Sequence, residues 1–316
     1  MDSIERTDDL ECLFNTLNKY KDIKKNPPCI TANTIVANPD FEKIKETSFN
    51  NYYYRTINES YYEFSDGEKV INLLKDGISD KLIFPQFHGR EHLNVPLWLK
   101  ALRNNDQFLR LAFNNKVFSI ESSGRLNSKR NATGAFDSLE KNDIDFYLSA
   151  LKDGLEIFRK FFGFNSLTMI APSYTWNDQI EKAAHDCGIV AFQGISYQFL
   201  PSMNGSLKKK FHYTGQRNQL GQYYLVRNVF FEPSLIPDKD WVSECLKRID
   251  LAFKFRRPAI IGTHRVNFIG TLVEKNRTNN LKLFNHLLSQ ILKRWPDVEF
   301  ASSADLIKLI TDKQQG

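Results

Sequence analysis

Short runs of consecutive apolar residues alternate along this chain with longer stretches in which apolar positions recur every three or four residues. The first pattern marks strands covered on both faces, and the second marks amphipathic helices. Strands are expected at 29–36, 82–87, 166–171, 188–192, 224–231, 258–262 and 298–301, with an eighth at 3–7. Helices are expected at 9–20, 67–76, 95–102, 143–162, 176–187, 239–255, 279–294 and 304–311. Such alternation is the pattern of parallel strands joined by crossover helices. The expected fold class is therefore α/β: one domain over residues 1–316, a distorted, closed or nearly closed β/α barrel of about seven strands.

Two stretches interrupt the alternation. Residues 104–137 are polar and include Ser122-Ser123-Gly124 and Asn131-Ala132-Thr133-Gly134, while 196–221 are rich in Gly, Ser, Lys and Gln. Both read as long excursions from the barrel, and long loops on such scaffolds often cover a site.

Composition narrows the function classes. With 316 residues, 41% of them hydrophobic, the chain can bury a sizeable core. A net charge of +6 with one tight basic run, Lys208-Lys209-Lys210, lacks the stripe and module of a nucleic-acid binder. The opening MDSIERTDD has no positive region leading into an apolar stretch, and no apolar run is long enough to span a bilayer, so a soluble, cytoplasmic protein is expected. Cys12, Cys29, Cys187 and Cys245 are widely spaced and read as reduced thiols. Asn-x-Ser/Thr triplets at Asn58, Asn131, Asn204 and Asn276 carry little weight without secretion. An aromatic share of 13%, with 12 Tyr and 4 Trp, suits a carbohydrate-stacking surface as well as a core.

The segment FPQFHGREHLN places His88 and His92 four residues apart, just past an apolar run. Two imidazoles at that spacing can converge on one metal ion, although such pairs also serve as caps or surface groups. In a β/α barrel, residues just after the strands gather at one rim. That rule nominates His88 after one strand, Pro172, Ser173, Tyr174 and Trp176 after another, Thr263, His264 and Arg265 after a third, and Asp8 and Asp9 near the N-terminus. His185, His212 and His286 are expected in structural or surface roles.

These residues resemble the polysaccharide deacetylases, carbohydrate esterases of the chitooligosaccharide-deacetylase superfamily, whose catalytic domain is a distorted β/α barrel. Asp8-Asp9 is similar to the family's first motif, His88-x-x-x-His92 to its second, Pro172 with Tyr174 loosely to its third, and IIGTH ending at His264 to its last. The order runs through nearly the whole chain, and the sequence is similar to bacterial polysaccharide (de)acetylase-like proteins of surface-polysaccharide synthesis.

The resemblance implies a divalent metal, usually zinc, held by Asp9, His88 and His92. It implies Asp8 as the base that activates water, His264 as the acid for the leaving group, and a backbone N–H near Ser173 as an oxyanion donor. Arg90 and Glu91 would orient the base or a ligand. The substrate implied is an N- or O-acetylated saccharide. The arginine that orients the base in the family is Ile170 here, so Arg6, Arg90 or Arg265 would replace it. Asp8-Asp9 also reads as an N-cap and first-turn acid for the adjoining helix, and His264 as a buried, hydrogen-bonded histidine. Two other functions stay open. One is a glycoside hydrolase drawing two carboxylates from Glu91, Glu121, Asp137 and Asp178; the other is a non-catalytic carbohydrate-binding protein.

Overall fold

The computed structural model describes residues 3–118, 132–137, 143–201 and 207–312. Glu121, Ser122-Ser123-Gly124, Asn131 and Asn204 lie outside the described residues. The first half contains α1 (Thr7–Leu17), β1 (Ile30–Thr34), β2 (Ala37–Pro39), α2 (Phe41–Glu46), β3 (Tyr54–Thr56), α3 (Ile57–Tyr62), α4 (Gly67–Ser79), β4 (Ile83–Phe87), α5 (Val95–Arg103), α6 (Gln107–Asn114) and α7 (Asp143–Phe162). The second half contains β5 (Thr168–Ile170), α8 (Asp178–Asp186), β6 (Ala191–Gly194), β7 (Tyr197–Pro201), β8 (Leu207–Phe211), β9 (Tyr223–Val226), β10 (Val229–Phe230), α9 (Trp241–Lys254), β11 (Ile261–Gly262), α10 (Glu274–Arg294) and α11 (Ser303–Asp312).

The chain divides into two compact units. One comprises residues 1–32, 61–85 and 225–316; the other comprises 33–60 and 86–224. A parallel five-stranded sheet runs in the order β1-β4-β5-β6-β9. Its strands are apolar on consecutive positions because both faces are covered, as in β6, where all four residues are buried. The excursion 104–137 begins with helix α6, and 196–221 contains the antiparallel β7–β8 hairpin.

The expected barrel is not seen as a closed ring. Among the described residues, β10 and β11 form a separate parallel pair, and no strand is found at 3–7 or 298–301. Side chains take over the ladder where strands were expected. The stretch 224–231 breaks at Asn228, whose Oδ1 accepts from Ile260 N at 2.8 Å and whose Nδ2 donates to Pro258 O at 2.9 Å. At 298–301, Phe300 N donates to Asp22 Oδ2 at 2.9 Å instead of to a neighbouring strand. These bonds satisfy the backbone as a ladder would, so the apolar pattern alone does not register the loss.

In the unit of residues 33–60 and 86–224, α7 packs on β4 through Phe158, whose ring meets Phe87 edge-on at 6.3 Å. Close approach depends on Gly154: a Cβ there would stand 2.8 Å from Phe87 Cζ and 2.9 Å from Arg90 Cβ. A second core gathers Ile44, Phe49, Leu93, Trp98, Leu102, Leu109 and Phe113 from α2, α5, α6 and the adjoining loops. In the other unit, α1 packs on α4 at Gly77, against Phe14, and Phe231, Phe268 and Phe284 join β10 to α10.

Gly154→Ala weighs two effects. Alanine gains about 1 kcal/mol in helix propensity, but overpacking a fixed contact costs about 1–3 kcal/mol. Because Phe87 and Phe158 are fully buried, the clash dominates, and urea titration should show a net loss of stability; an unchanged or raised midpoint would contradict this packing.

Candidate functional site

In the unit of residues 1–32, 61–85 and 225–316, a carboxylate and an imidazole meet at the ends of β10 and β11. Phe231 and Glu232 come directly after β10, and Thr263 and His264 directly after β11, so the parallel pairing brings the two side chains side by side. His264 Nδ1 lies 2.7 Å from Glu232 Oε1, and His264 N donates to Glu232 Oε2 at 3.3 Å. The imidazole side chain is 62% exposed and the carboxylate 8%. This contrast is chemically useful. A shielded carboxylate accepting from Nδ1–H fixes the tautomer of a solvent-exposed ring, so that Nε2 is the nitrogen suited to proton exchange.

Arg265, adjacent to His264, donates through Nη1 to Glu5 Oε2 at 3.1 Å, and Tyr61 Oη donates to Glu5 Oε1. Burial and the Glu5 carboxylate hold the Tyr61 phenol well above its ordinary range, so it remains a donor.

Asp9 is in the same unit and is 2% exposed. Its Oδ1 accepts from Gly270 N at 2.8 Å and Arg277 Nη1 at 2.8 Å; its Oδ2 accepts from Arg6 N at 3.1 Å and Thr271 Oγ1 at 3.3 Å. Both oxygens are thus committed to the start of α1, the 270–271 loop and an ion pair. This is the first-turn acid that complements a helix N-terminus, with a tertiary role added. Asp8 is exposed on the first turn of α1.

In the unit of residues 33–60 and 86–224, the loops after β4 and β5 come together. His88 Nδ1 donates to Ile170 O at 2.7 Å, so Nε2 is the unprotonated nitrogen of the neutral ring, and the His92 ring centroid is 5.1 Å away at 80°. Gly89, at φ +106°, lets Pro172 approach: a Cβ there would stand 3.2 Å from Pro172 Cγ and 3.1 Å from Glu91 O. Ser173 and Tyr174 take the left-handed conformation at φ 54° and 55°, and Ser173 Oγ is 3.0 Å from Thr133 Oγ1. Successive non-glycine residues in that region store strain, which is common where a loop is held for function.

Arg90 and Glu91 are buried within this unit. Arg90 makes a two-bond fork to Glu91, at 2.6 and 3.0 Å, and a third bond to Asp153 at 3.0 Å. The guanidinium also lies over Tyr54 and Phe146. Burial would push the Arg90 pKa down, but the Glu91 and Asp153 contacts raise it; burial raises that of Glu91 against the pull of Arg90. The fork is thus engaged in an internal ion pair.

Trp176 is packed in the core. Its ring stacks on Phe192 at 5.2 Å and 8°, and Nε1 donates to Glu181 Oε1 at 3.1 Å. The same layer holds His212, which is buried rather than on a surface loop, stacked on Tyr224 at 3.6 Å and bonded through Nε2 to Gln198 Oε1 at 2.8 Å.

The carboxylates that a glycosidase would need are dispersed in role. Glu91 is tied to Arg90, Asp178 is exposed in the first turn of α8, and Asp137 is buried.

For the implied metal, His88 and His92 offer two imidazoles, one of them in the ligand-competent tautomer. Asp9, with both oxygens in use, does not fit as their carboxylate partner. Among the described residues, no group of three or more His, Cys, Asp or Glu side chains is arranged to hold an ion. Glu232 is the functional group that motif and spacing did not nominate. It stands immediately after the apolar run ending FF, so the rule that selected His88 and His264 would also have selected it.

No protein-family model matches the chain, and no curated protein matches it. Among solved structures, it is similar to a 4-alpha-glucanotransferase from Thermococcus litoralis, with TM-score 0.46 and 11% identity, covering 95% of this chain and 35% of that one. It is similar to a protein of Mycobacterium smegmatis assigned as a polysaccharide deacetylase, with TM-score 0.44 and 8% identity, covering 79% and 70%. It is also similar to a GH57 branching enzyme from Thermococcus kodakaraensis, with TM-score 0.43 and 11% identity, covering 85% and 56%. The chain spans about a third of the length of the first of these. Likeness at this level carries no argument for an activity. Among the described residues, no helix is long and apolar enough to cross a membrane.

These placements have two measurable consequences. Asp9→Ala strands Arg277 and the 270–271 loop, and breaking a buried pair in this way costs about 3–5 kcal/mol. Its melting temperature should fall equally with and without a chelator, and a fall confined to protein without chelator would instead make Asp9 a metal ligand. His212 has a pKa lowered by burial. The unfolded chain therefore takes up the proton first, so stability is full above the ordinary imidazole range and falls as pH drops below about 6.5. His212→Gln should flatten that part of the pH–stability curve, and an unaltered slope would show that another group causes it.

Proposed function

We propose that the chain is a hydrolase that removes an acyl group, in the first place acetyl, from a saccharide, with His264 as its proton-transfer residue. The observation that carries this reading is the 2.7 Å contact between the exposed imidazole and the shielded carboxylate of Glu232. Water attack on an ester or amide carbonyl ends with breakage of the C–O or C–N bond, and the departing oxygen or nitrogen needs a proton. His264 Nε2 takes a proton from the attacking water and, as Nε2–H, delivers it to the departing atom, while Glu232 stabilises the imidazolium formed in between and holds the ring's orientation throughout. The saccharide part of the proposal is supported by the order of the HGREH, APSY and IIGTH segments, which resembles the polysaccharide deacetylases.

A divalent metal would supply Lewis-acid polarisation and an activated water when bound, with His88 and His92 as two of its ligands. Because Asp9 does not fit as the third ligand, no step is assigned to such an ion, and the proton transfer is carried by His264 and Glu232.

The test uses the purified full chain with N-acetylglucosamine oligomers and acetylated xylan, with and without added Zn²⁺, and monitors acetate and new reducing ends separately. Acetate release is expected. His264→Gln should lower it about 10²–10⁴-fold, and Glu232→Gln should lower it less, since loss of a positioned proton-transfer group has effects of that order. Full activity in His264→Gln would overturn the assignment. Reducing ends without acetate would replace it with glycoside hydrolysis.

A further inference from the structure

We infer that Asn267 is the positioning residue of this dyad: it locks the Glu232 carboxylate so that only one oxygen is presented to the His264 imidazole. The inference rests on the reading of His264 as the proton-transfer residue.

Asn267 is fully buried in the short 3₁₀ turn Arg265–Phe268, directly after His264. Its Nδ2 lies 2.8 Å from Glu232 Oε2, 2.9 Å from Thr263 Oγ1, 3.0 Å from His264 O and 3.2 Å from Phe231 O. Its Oδ1 accepts from Ser234 N at 2.9 Å. The amide can face only one way. Turning it over would aim an oxygen at a carboxylate and two carbonyl oxygens, which can only accept, and a nitrogen at a backbone N–H.

The consequence passes to the carboxylate. With Oε2 engaged by Asn267 Nδ2 and His264 N, rotation of Glu232 is blocked and Oε1 is left for Nδ1–H of the imidazole. The hub is itself braced from α10. Ser234 Oγ donates to Asn276 Oδ1 at 2.7 Å, Asn276 Nδ2 donates to Val266 O at 2.6 Å, and Asn280 Nδ2 donates to Ser234 Oγ at 2.8 Å. A loop after β10 and a turn after β11 thus meet at one uncharged side chain, and a long helix braces both through Ser234 and Val266. An amide suits the position because it donates to the carboxylate without neutralising it, so the charge remains to stabilise the imidazolium.

The experiment reads the imidazole directly. In full-length protein labelled with ¹⁵N-histidine, the His264 ring signals, assigned by their loss in His264→Gln, report the tautomer and its pH titration. The wild type should hold the neutral ring as Nδ1–H. Asn267→Asp keeps the shape but places an acceptor against Glu232, so the two carboxyls must share a proton and the Nδ1–H preference should fall about tenfold, since a charge-assisted bond is replaced by a weaker one. The same variant should move the pH profile of acetate release.

A folded Asn267→Asp protein with the wild-type tautomer ratio and pH profile would overturn the proposal. If that variant does not fold, the link is read from the other end, through the side-chain amide signals of Asn267. They should shift in Glu232→Gln, and unmoved signals would overturn the proposal. A shifted tautomer without any acetate release would leave the Asn267–Glu232–His264 link standing while removing the hydrolase reading, so the two fail separately.

Discussion

A carboxylate taken out of water must be paired, and that constraint decides which acids of this chain can do chemistry. Asp9, Glu91 and Glu232 are all shielded from solvent. Asp9 is bound to Arg277 and to two backbone N–H groups, and Glu91 to both arms of the Arg90 fork. Their partners are themselves fixed, permanently charged or backbone groups, so the pairs act as joints. Glu232 differs because its charged-state partner is a histidine, a group that gains and loses a proton near neutral pH and stands largely in solvent. One of three similar burials therefore pairs with a titratable ring, the pair proposed for proton transfer, and the other two yield architecture.

The same use of side-chain hydrogen bonds shapes the sheet. Asn228 and Asp22 bond to backbone groups where strand neighbours would otherwise stand, and they convert expected ladder into irregular chain. Asn267 extends this role of short polar side chains to the dyad itself. Parallel pairing of β10 and β11 aligns the two chain ends, and the buried amide then orients Glu232 beyond the first strand against His264 beyond the second.

Several elements were legible from periodicity alone. The long helix α7 coincides with its expected bounds, and α4, α5, α9 and α10 lie within a few residues of theirs, because each carries an apolar stripe that local spacing reveals. The loop partnership of His88 with Ile170 and of Gly89 with Pro172 joins two segments nominated independently as strand ends. The short elements were not legible. Helices α2, α3 and α6 and the β7–β8 hairpin are too brief for a period to stand out, and the burial of Trp176 and His212 is decided only by their ring stack.

Side-chain order along the chain was enough to specify the α/β alternation, the crossover helices and the nomination of His88 and His264 as chemical groups, since sites gather after strands. The fate of each acid was settled only by folding. Asp9 and Glu232 are both carboxylates beside apolar runs, one at a helix start and one after a strand, and neither setting shows which partner will reach the acid. The distinction lies in the groups that arrive from elsewhere in the chain, Arg277 and the 270–271 loop at Asp9, His264 and Asn267 at Glu232. A buried charge takes its role from the partner that compensates it, and that partner is chosen by the fold.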